Sequence, residues 1–330
     1  MTHPRLAAIT GVGAFLPQRK LTNLDLETMV DTTDEWITQR TGIKERRIAS
    51  DGESTATMAV EAGRQACASA GLDPADLEMI ICATITPETP CPATACHVQR
   101  DLGANRAAAF DLNAACSGFL YALTVGRRMI ESGQCSSCLV VGTETLSRVT
   151  DYTDRGSCIL FGDGAGAVVL QPAQDPDRAI KYTTIHSDGT GWDFITLPAG
   201  GSRLPASHAT VDQRLHYLKL QGREVYKFAV EKMQWLLADC MAACGLTPET
   251  VDLVVPHQVN SRIIDSATEK LKFPKDKVFV NIDRTGNTSS ASVPIALEEA
   301  IRTGRAGPGK TIIMVAFGAG LTWSGAVVKL

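Results

Sequence analysis

Short apolar runs alternate with longer stretches of helical period along most of the chain. Apolar runs of strand length predict β-strands at residues 6–9, 79–83, 107–112, 138–141, 165–170, 253–255, 278–282, 311–315 and 326–330. Apolar positions recurring every three to four residues predict helices at 54–70, 117–132, 223–243, 261–272 and 293–303. Gly71, Gly133, Gly245 and Gly304 each follow a helical stretch, where a left-handed cap is wanted. Strands alternating with helices predict an α/β fold.

The pattern also repeats. The run from Gly71 through Pro74 to Ile81 matches the run from Gly245 through Pro248 to Val255 without a gap. Both read as a helix stop, a proline-containing turn and a buried strand. Ile130-Glu131-Ser132-Gly133 is echoed by Ile301-Arg302-Thr303-Gly304, and Gly166-Ala167-Val168-Val169-Leu170 by Gly325-Ala326-Val327-Val328-Lys329-Leu330. Three echoes in the same order predict a duplicated α/β unit. The halves are 1–175 and 176–330, joined through a polar stretch containing Pro172 and Pro176.

Composition narrows the class. The 330 residues are 44% hydrophobic and 21% charged, with a net charge of −4. No excess of basic residues points to nucleic acid or to a polybasic membrane anchor. Met1-Thr2-His3-Pro4-Arg5 leads straight into an apolar run without a signal-peptide pattern, and no run reaches the roughly 20 apolar residues of a membrane helix. A cytoplasmic protein is expected. The ten cysteines are scattered, so reduced and mostly buried residues are expected rather than a disulfide framework. Cys135-Ser136-Ser137-Cys138 lacks the second pair that a zinc site of this kind needs, and no metal is expected.

The most informative segment is Phe110-Asp111-Leu112-Asn113-Ala114-Ala115-Cys116-Ser117-Gly118. It runs from a strand into a helix, and no charge occurs from Asn113 through Gly126, so the helix should be buried on nearly all sides. Cys116 then sits at a helix amino terminus, where free backbone N–H groups and the helix dipole favour thiolate. A thiolate attacks acyl donors; a buried structural cysteine is the other reading.

In the second half, a strand ends at His257, where the first half has Ala83. His257 reads either as a catalytic imidazole or as a satisfied core histidine, and Asn260 as the cap of the next helix. Asn287 lies in a loop of small polar residues, as a turn residue or as an amide donor. Phe317-Gly318-Ala319-Gly320 follows a further strand, where backbone N–H groups can face an oxyanion. Cysteine, histidine and asparagine at the carboxyl ends of strands converge on the edge where α/β folds bind ligands.

At these residues the chain resembles the thiolase superfamily, and specifically the type III β-ketoacyl-acyl carrier protein synthases, over nearly its whole length. The resemblance rests on Asp34-Glu35-Trp36-Ile37, Arg40-Thr41-Gly42-Ile43, Ala115-Cys116-Ser117-Gly118 and Asp154-Arg155-Gly156. It continues in Phe161-Gly162-Asp163-Gly164-Ala165-Gly166-Ala167, His257-Gln258-Val259-Asn260, Gly286-Asn287-Thr288-Ser289-Ser290 and Gly320-Leu321-Thr322-Trp323. It implies a five-layered αβαβα fold, a homodimer and a Cys116–His257–Asn287 site without metal or redox cofactor. An acyl-CoA would load Cys116, and malonyl-acyl carrier protein would condense with it after losing carbon dioxide.

The same resemblance implies an oxyanion hole from the Cys116 and Ala319 amides. Trp36 and Arg155 would hold the adenine, with Arg40 and Asn260 also on coenzyme A. Gln258, Val259, Asn260, Ser261 and Arg262, with Lys270 and Lys272, would face the carrier protein. Two departures stand out: Ala319 replaces a common glycine, and Cys91 replaces a bulky aromatic that lines the partner's acyl pocket, which implies a roomier pocket. A specialised condensing enzyme with another primer or acceptor shares these motifs.

Thiolase itself would need a second catalytic cysteine after Cys244, and there is none. Hydroxymethylglutaryl-CoA synthase would need a glutamate base, for which no candidate matches. Gly11-Val12-Gly13 after a strand suggests a dinucleotide site, but Leu16 stands where the third glycine belongs and Pro17 interrupts the helix.

Overall fold

A computed structural model describes residues 5–330, so the reading of Met1 to Pro4 lies outside the described residues. The first sheet contains β1 (Ala7–Phe15), β2 (Met79–Ala83), β3 (Ala108–Leu112), β4 (Cys138–Thr145) and β5 (Asp163–Pro172), in the order β1-β5-β4-β2-β3. The second contains β6 (Ile180–Ser187), β7 (Leu253–Pro256), β8 (Thr311–Gly318) and β9 (Thr322–Lys329), in the order β6-β9-β8-β7.

The sheets repeat one topology. Met79 pairs with Cys138 in parallel, and Leu253 with Ile312, so both partners are displaced by 174 residues (79 to 253, 138 to 312). β2 and β4 are buried at every position, as strands covered on both faces must be.

The principal helices are α1 (Asp34–Thr41), α2 (Thr55–Ala70), α3 (Thr94–Leu102), α4 (Gly118–Glu131), α5 (Gly222–Cys244), α6 (Ser261–Lys270) and α7 (Ser292–Arg302). α2 and α3 pack on the outer face of the first sheet through Met58, Ala62, Ala95 and Val98. α5 and α6 cover the outer face of the second through Leu236, Leu237, Ile263 and Ile264. Between the sheets lie α4 and α7, whose Phe119, Leu123, Val293 and Leu297 join residues of both sheets in one core. The result is five layers, αβαβα. Gly71 and Gly245 close α2 and α5 in the left-handed conformation, with φ of 64° at both.

Three departures from the hydrophobic pattern have physical causes. β1 extends through Gly11 and Gly13, where a side chain would strike the backbone of α2; a Cβ on Gly11 would lie 2.6 Å from the Ala70 amide. Those glycines let a helix lie close against the strand, and cradle no phosphate. β6 was not apparent in the pattern, because as a half-exposed edge strand it mixes Lys181, Thr183, Thr184 and His186 with its apolar residues.

The strand expected at 278–282 is absent. Val278 forms one isolated bridge to Val254, and then the Gln258 side chain replaces a neighbouring strand. Its Oε1 accepts from the Asn281 and Ile282 amides at 2.9 and 3.2 Å, and its Nε2 donates to the Phe279 carbonyl at 3.1 Å.

Candidate active site

The site forms where strand ends from both halves meet between the sheets. After β3 the chain makes a single 3₁₀ turn, Ala115–Ser117, before α4 begins. Ala115 has φ of 48°, a conformation that alanine rarely adopts, and the turn sets Cys116 at the head of the buried helix. The carboxyl end of β8 closes on this turn. A Cβ on Gly318 would lie 2.6 Å from the Cys116 nitrogen, so only glycine allows the approach. The Thr322 hydroxyl, which donates to the Ala114 carbonyl at 2.9 Å, fixes the same turn from β9.

His257 continues β7, its amide donating to the Val315 carbonyl at 2.7 Å. Its ring is buried, edge-on to Phe317 with centroids 5.6 Å apart, and its Nδ1 lies 2.6 Å from the Ser292 hydroxyl. Asn287 is held by its backbone, its amide donating to Leu160 and its carbonyl accepting from Gly162. Its Oδ1 accepts from the Ser289 amide at 2.9 Å. The Nδ2 group has no protein acceptor among the described residues and is left as the free donor of this side chain.

Cys116, His257 and Asn287 line one cavity of about 870 Å³, together with Phe317, Gly318 and Ala319. The Cys116 and Ala319 amides donate to no protein acceptor among the described residues. One side-chain donor, Asn287 Nδ2, and two backbone donors are therefore available around the thiol, beside the His257 imidazole. Burial sets the charge state of the resting site. It pushes the Cys116 thiol up to about 12, only partly offset by the nearby Ser289 hydroxyl, and the His257 imidazole down to about 3. Desolvation thus favours the neutral thiol beside a neutral imidazole and opposes the thiolate that the helix head favours. Position at the helix head instead lowers the cost of negative charge when it develops.

At the mouth, Trp36 on α1 lies under two guanidinium groups, Arg40 at 5.0 Å and Arg155 at 5.2 Å from its ring centroid. An aromatic base in contact on both sides needs about 7 Å between Trp36 and Arg155, so Arg155 must move outward to admit one. It is tethered only to Asp31 among the described residues, by a 3.0 Å hydrogen bond to the carbonyl and a long 3.8 Å ion pair, and the side chain is half-exposed. Asn260 caps α6 by accepting from the Arg262 amide and donates to the Arg40 carbonyl at 3.0 Å, linking the helix to the mouth.

Several expected positions are rearranged. Gln258 is buried and fully bonded within the protein, so a docking role for it is corrected to a structural one. Val259, Asn260 and Ser261 are half-buried, whereas Arg262, Lys270 and Lys272 are exposed. Cys91 is exposed and does not line its own chain's cavity.

The pattern along the chain missed one cavity wall entirely. Trp192, Ile195–Thr196 and Leu218 come from the segment between β6 and α5. That segment is pinned where Arg214 forks onto Asp151 at 2.5 and 3.0 Å, which holds this carboxylate well below its ordinary range. Irregular backbone with scattered apolar residues carries no periodic signal, so its role emerges only on folding.

Paired sheets around a central helix pair, with a cysteine in one half and a histidine and an asparagine in the other, define a duplicated thiolase-type condensing fold. Sequence comparison gives the family. The profile described as 3-oxoacyl-(acyl-carrier-protein) synthase III matches residues 110–189, and its C-terminal companion matches residues 241–330. The chain is 51% identical to β-ketoacyl-(acyl-carrier-protein) synthase III of Caldanaerobacter subterraneus subsp. tengcongensis, over 98% of this chain and 97% of that protein. It is 50% identical to the protein of the same name from Symbiobacterium thermophilum, over 98% of each. The crystal structure of 3-oxoacyl-(acyl-carrier-protein) synthase III from Aquifex aeolicus VF5 superposes with a TM-score of 0.91 at 45% identity, covering 98% of this chain and 100% of that one. The chain belongs to the β-ketoacyl-acyl carrier protein synthase III family.

Proposed function

We propose that this enzyme initiates fatty acid synthesis by condensing an acyl-CoA, acetyl-CoA in the first instance, with malonyl-acyl carrier protein through an acyl group on Cys116. The observation that carries this reading is the convergence of Cys116, His257 and Asn287 on one cavity with unengaged donors. In the first half-reaction the Cys116 sulfur attacks the thioester carbonyl and coenzyme A leaves with the thiol proton. The oxyanion that forms is held by the Cys116 and Ala319 amides. Trp36, Arg40, Arg155 and Asn260 hold the coenzyme.

In the second half-reaction the carbon–carbon bond to the malonyl carboxylate breaks and its electron pair becomes an enolate, as carbon dioxide departs. His257 Nε2 and Asn287 Nδ2 stabilise the enolate oxygen, which favours the transition state over the ground state. The enolate carbon attacks the acyl carbonyl, the thioester to Cys116 breaks, and the sulfur is reprotonated. That proton comes from solvent, and no step changes an oxidation state.

The halves 1–175 and 176–330 thus divide the labour between nucleophile and donors. Val259, Asn260, Ser261 and Arg262, with Lys270 and Lys272, offer a basic face to an acidic carrier protein. The unpaired edge of β3, whose residues are at most half-buried, suits pairing with a second copy in a homodimer. In that dimer Cys91 would line the partner's acyl pocket, where a small side chain leaves room for longer or branched primers. A cytoplasmic setting suits the ten free cysteines.

The test is radiolabelled acyl transfer with acetyl-, isobutyryl- and octanoyl-CoA, followed by malonyl-acyl carrier protein, for wild type and Cys116→Ser. Label should attach to wild type and leave as the β-ketoacyl product, while the variant takes none. Absence of acylation from every donor overturns the reading, and strict acetyl preference overturns the roomier pocket.

A further inference from the structure

The duplication supplies an internal control on the histidine. At the spacing of 174 residues that relates Met79 to Leu253 and Cys138 to Ile312, His257 corresponds to Ala83 and Ser292 to Gly118. Those first-half positions are neighbours: a Cβ on Gly118 would lie 3.1 Å from the Cβ of Ala83. The same two backbone sites therefore face each other in both halves. The half with a histidine also has the hydroxyl, and the half without has neither. His257 Nδ1 and Ser292 Oγ are 2.6 Å apart, and both residues are buried.

The direction of this bond follows from counting protons. Ser292 Oγ accepts from the Gln258 amide at 3.4 Å and reaches no other partner except His257 among the described residues. Its single proton can be used only at Nδ1. If Nδ1–H donated instead, the serine proton would be stranded in a buried site, which is costly. An imidazole that accepts at Nδ1 carries its proton on Nε2.

We infer that Ser292 is a positioning residue that fixes His257 as the neutral Nε2–H tautomer, so that the ring meets the substrate carbonyl as a hydrogen-bond donor and not as a base. This rests on the reading of His257 as a donor to the enolate. It separates the half-reactions, because acylation of Cys116 then proceeds without proton transfer to His257, whereas decarboxylation depends on the Nε2 proton.

The experiment combines ¹⁵N NMR of histidine-labelled enzyme with the two half-reactions, for wild type, Ser292→Ala and Ser292→Thr. Wild-type His257 should show a protonated Nε2 and a bare Nδ1. Ser292→Ala should slow malonyl-acyl carrier protein decarboxylation about tenfold, the worth of one buried hydrogen bond, with acylation by acetyl-CoA changed less than about twofold. Ser292→Thr should restore decarboxylation. A proton on Nδ1 in wild type, or equal loss in both half-reactions, overturns the assignment. Should Ser292→Ala fail to fold, the wild-type spectrum still decides the tautomer. If wild type takes no acyl group, the broader reading of the site fails, and the spectrum judges the inference separately.

Discussion

The turn that carries Cys116 in the first half and the matching turn of the second share a backbone but not a chemistry. Ala115 and Ser289 occupy the same position, with φ of 48° and 49°, and Asn113 and Asn287 both accept from the amide two residues on. At the head of the central helix stands Cys116 in one half and Ser290 in the other. Cys116 opens onto the cavity. Ser290 is buried, and its hydroxyl lies 2.8 Å from the Ala83 carbonyl and 2.9 Å from Glu144. A strained turn is therefore not itself a catalytic device. It presents whichever side chain follows it, and access and neighbours decide whether that side chain reacts. Glu144 makes the difference concrete, because this buried carboxylate also accepts from Thr84, Ile85 and Thr86 and so fills the first half's equivalent space with hydrogen bonds.

The strongest break of the comparison is at the glycines that admit each turn. Gly318 of β8 abuts Cys116, and Gly142 of β4 abuts the Ser290 carbonyl. Alanine at either position places a methyl against backbone, and each variant should lose on the order of 1–3 kcal/mol in urea unfolding. Only Gly318→Ala should also cost activity, on the order of a hundredfold in acylation, because it displaces Cys116 and its amide from their proposed roles as nucleophile and oxyanion donor. Equal catalytic loss in both would show that the second turn is as much a part of the machinery as the first.

A smaller effect sharpens the contrast between His257 and Ala83. Burial lowers the His257 imidazole to about 3, so between that value and the ordinary value near 6.5 the unfolded chain binds a proton that the folded chain refuses. Stability contributed by this site is therefore present above about pH 6.5 and is lost as pH falls toward 3. Replacing His257 by alanine, as in the first half, should flatten this part of the pH–stability curve by on the order of 3 kcal/mol at pH 4. Unchanged acid sensitivity in denaturant titrations would mean that the ring is solvated.

The smallest expected change lies at the mouth. Trp36→Ala should raise KM for acetyl-CoA roughly fivefold, from the loss of stacking worth on the order of 1 kcal/mol. The kcat should hold if Trp36 meets the nucleotide end, as proposed, and not the reacting carbonyl. A fall in kcat alone would place Trp36 elsewhere in the cycle.

What the chain determined by itself is the alternation of strands and helices, the internal repeat and the strand ends carrying Cys116, His257 and Asn287. These are legible because apolar period, glycine stops and residue identity act locally. Tertiary structure decided what depends on several segments at once. Desolvation beside the cavity opposes the helix-head preference for thiolate at Cys116. The Gln258 side chain took the hydrogen bonds of an expected strand and withdrew from the surface. The segment between β6 and α5 became a cavity wall through its ion pair to Asp151, and Ser292 met His257 across 35 residues. Each outcome is a competition among desolvation, hydrogen bonding and packing whose partners are distant in the chain, so only folding brings the competing terms together.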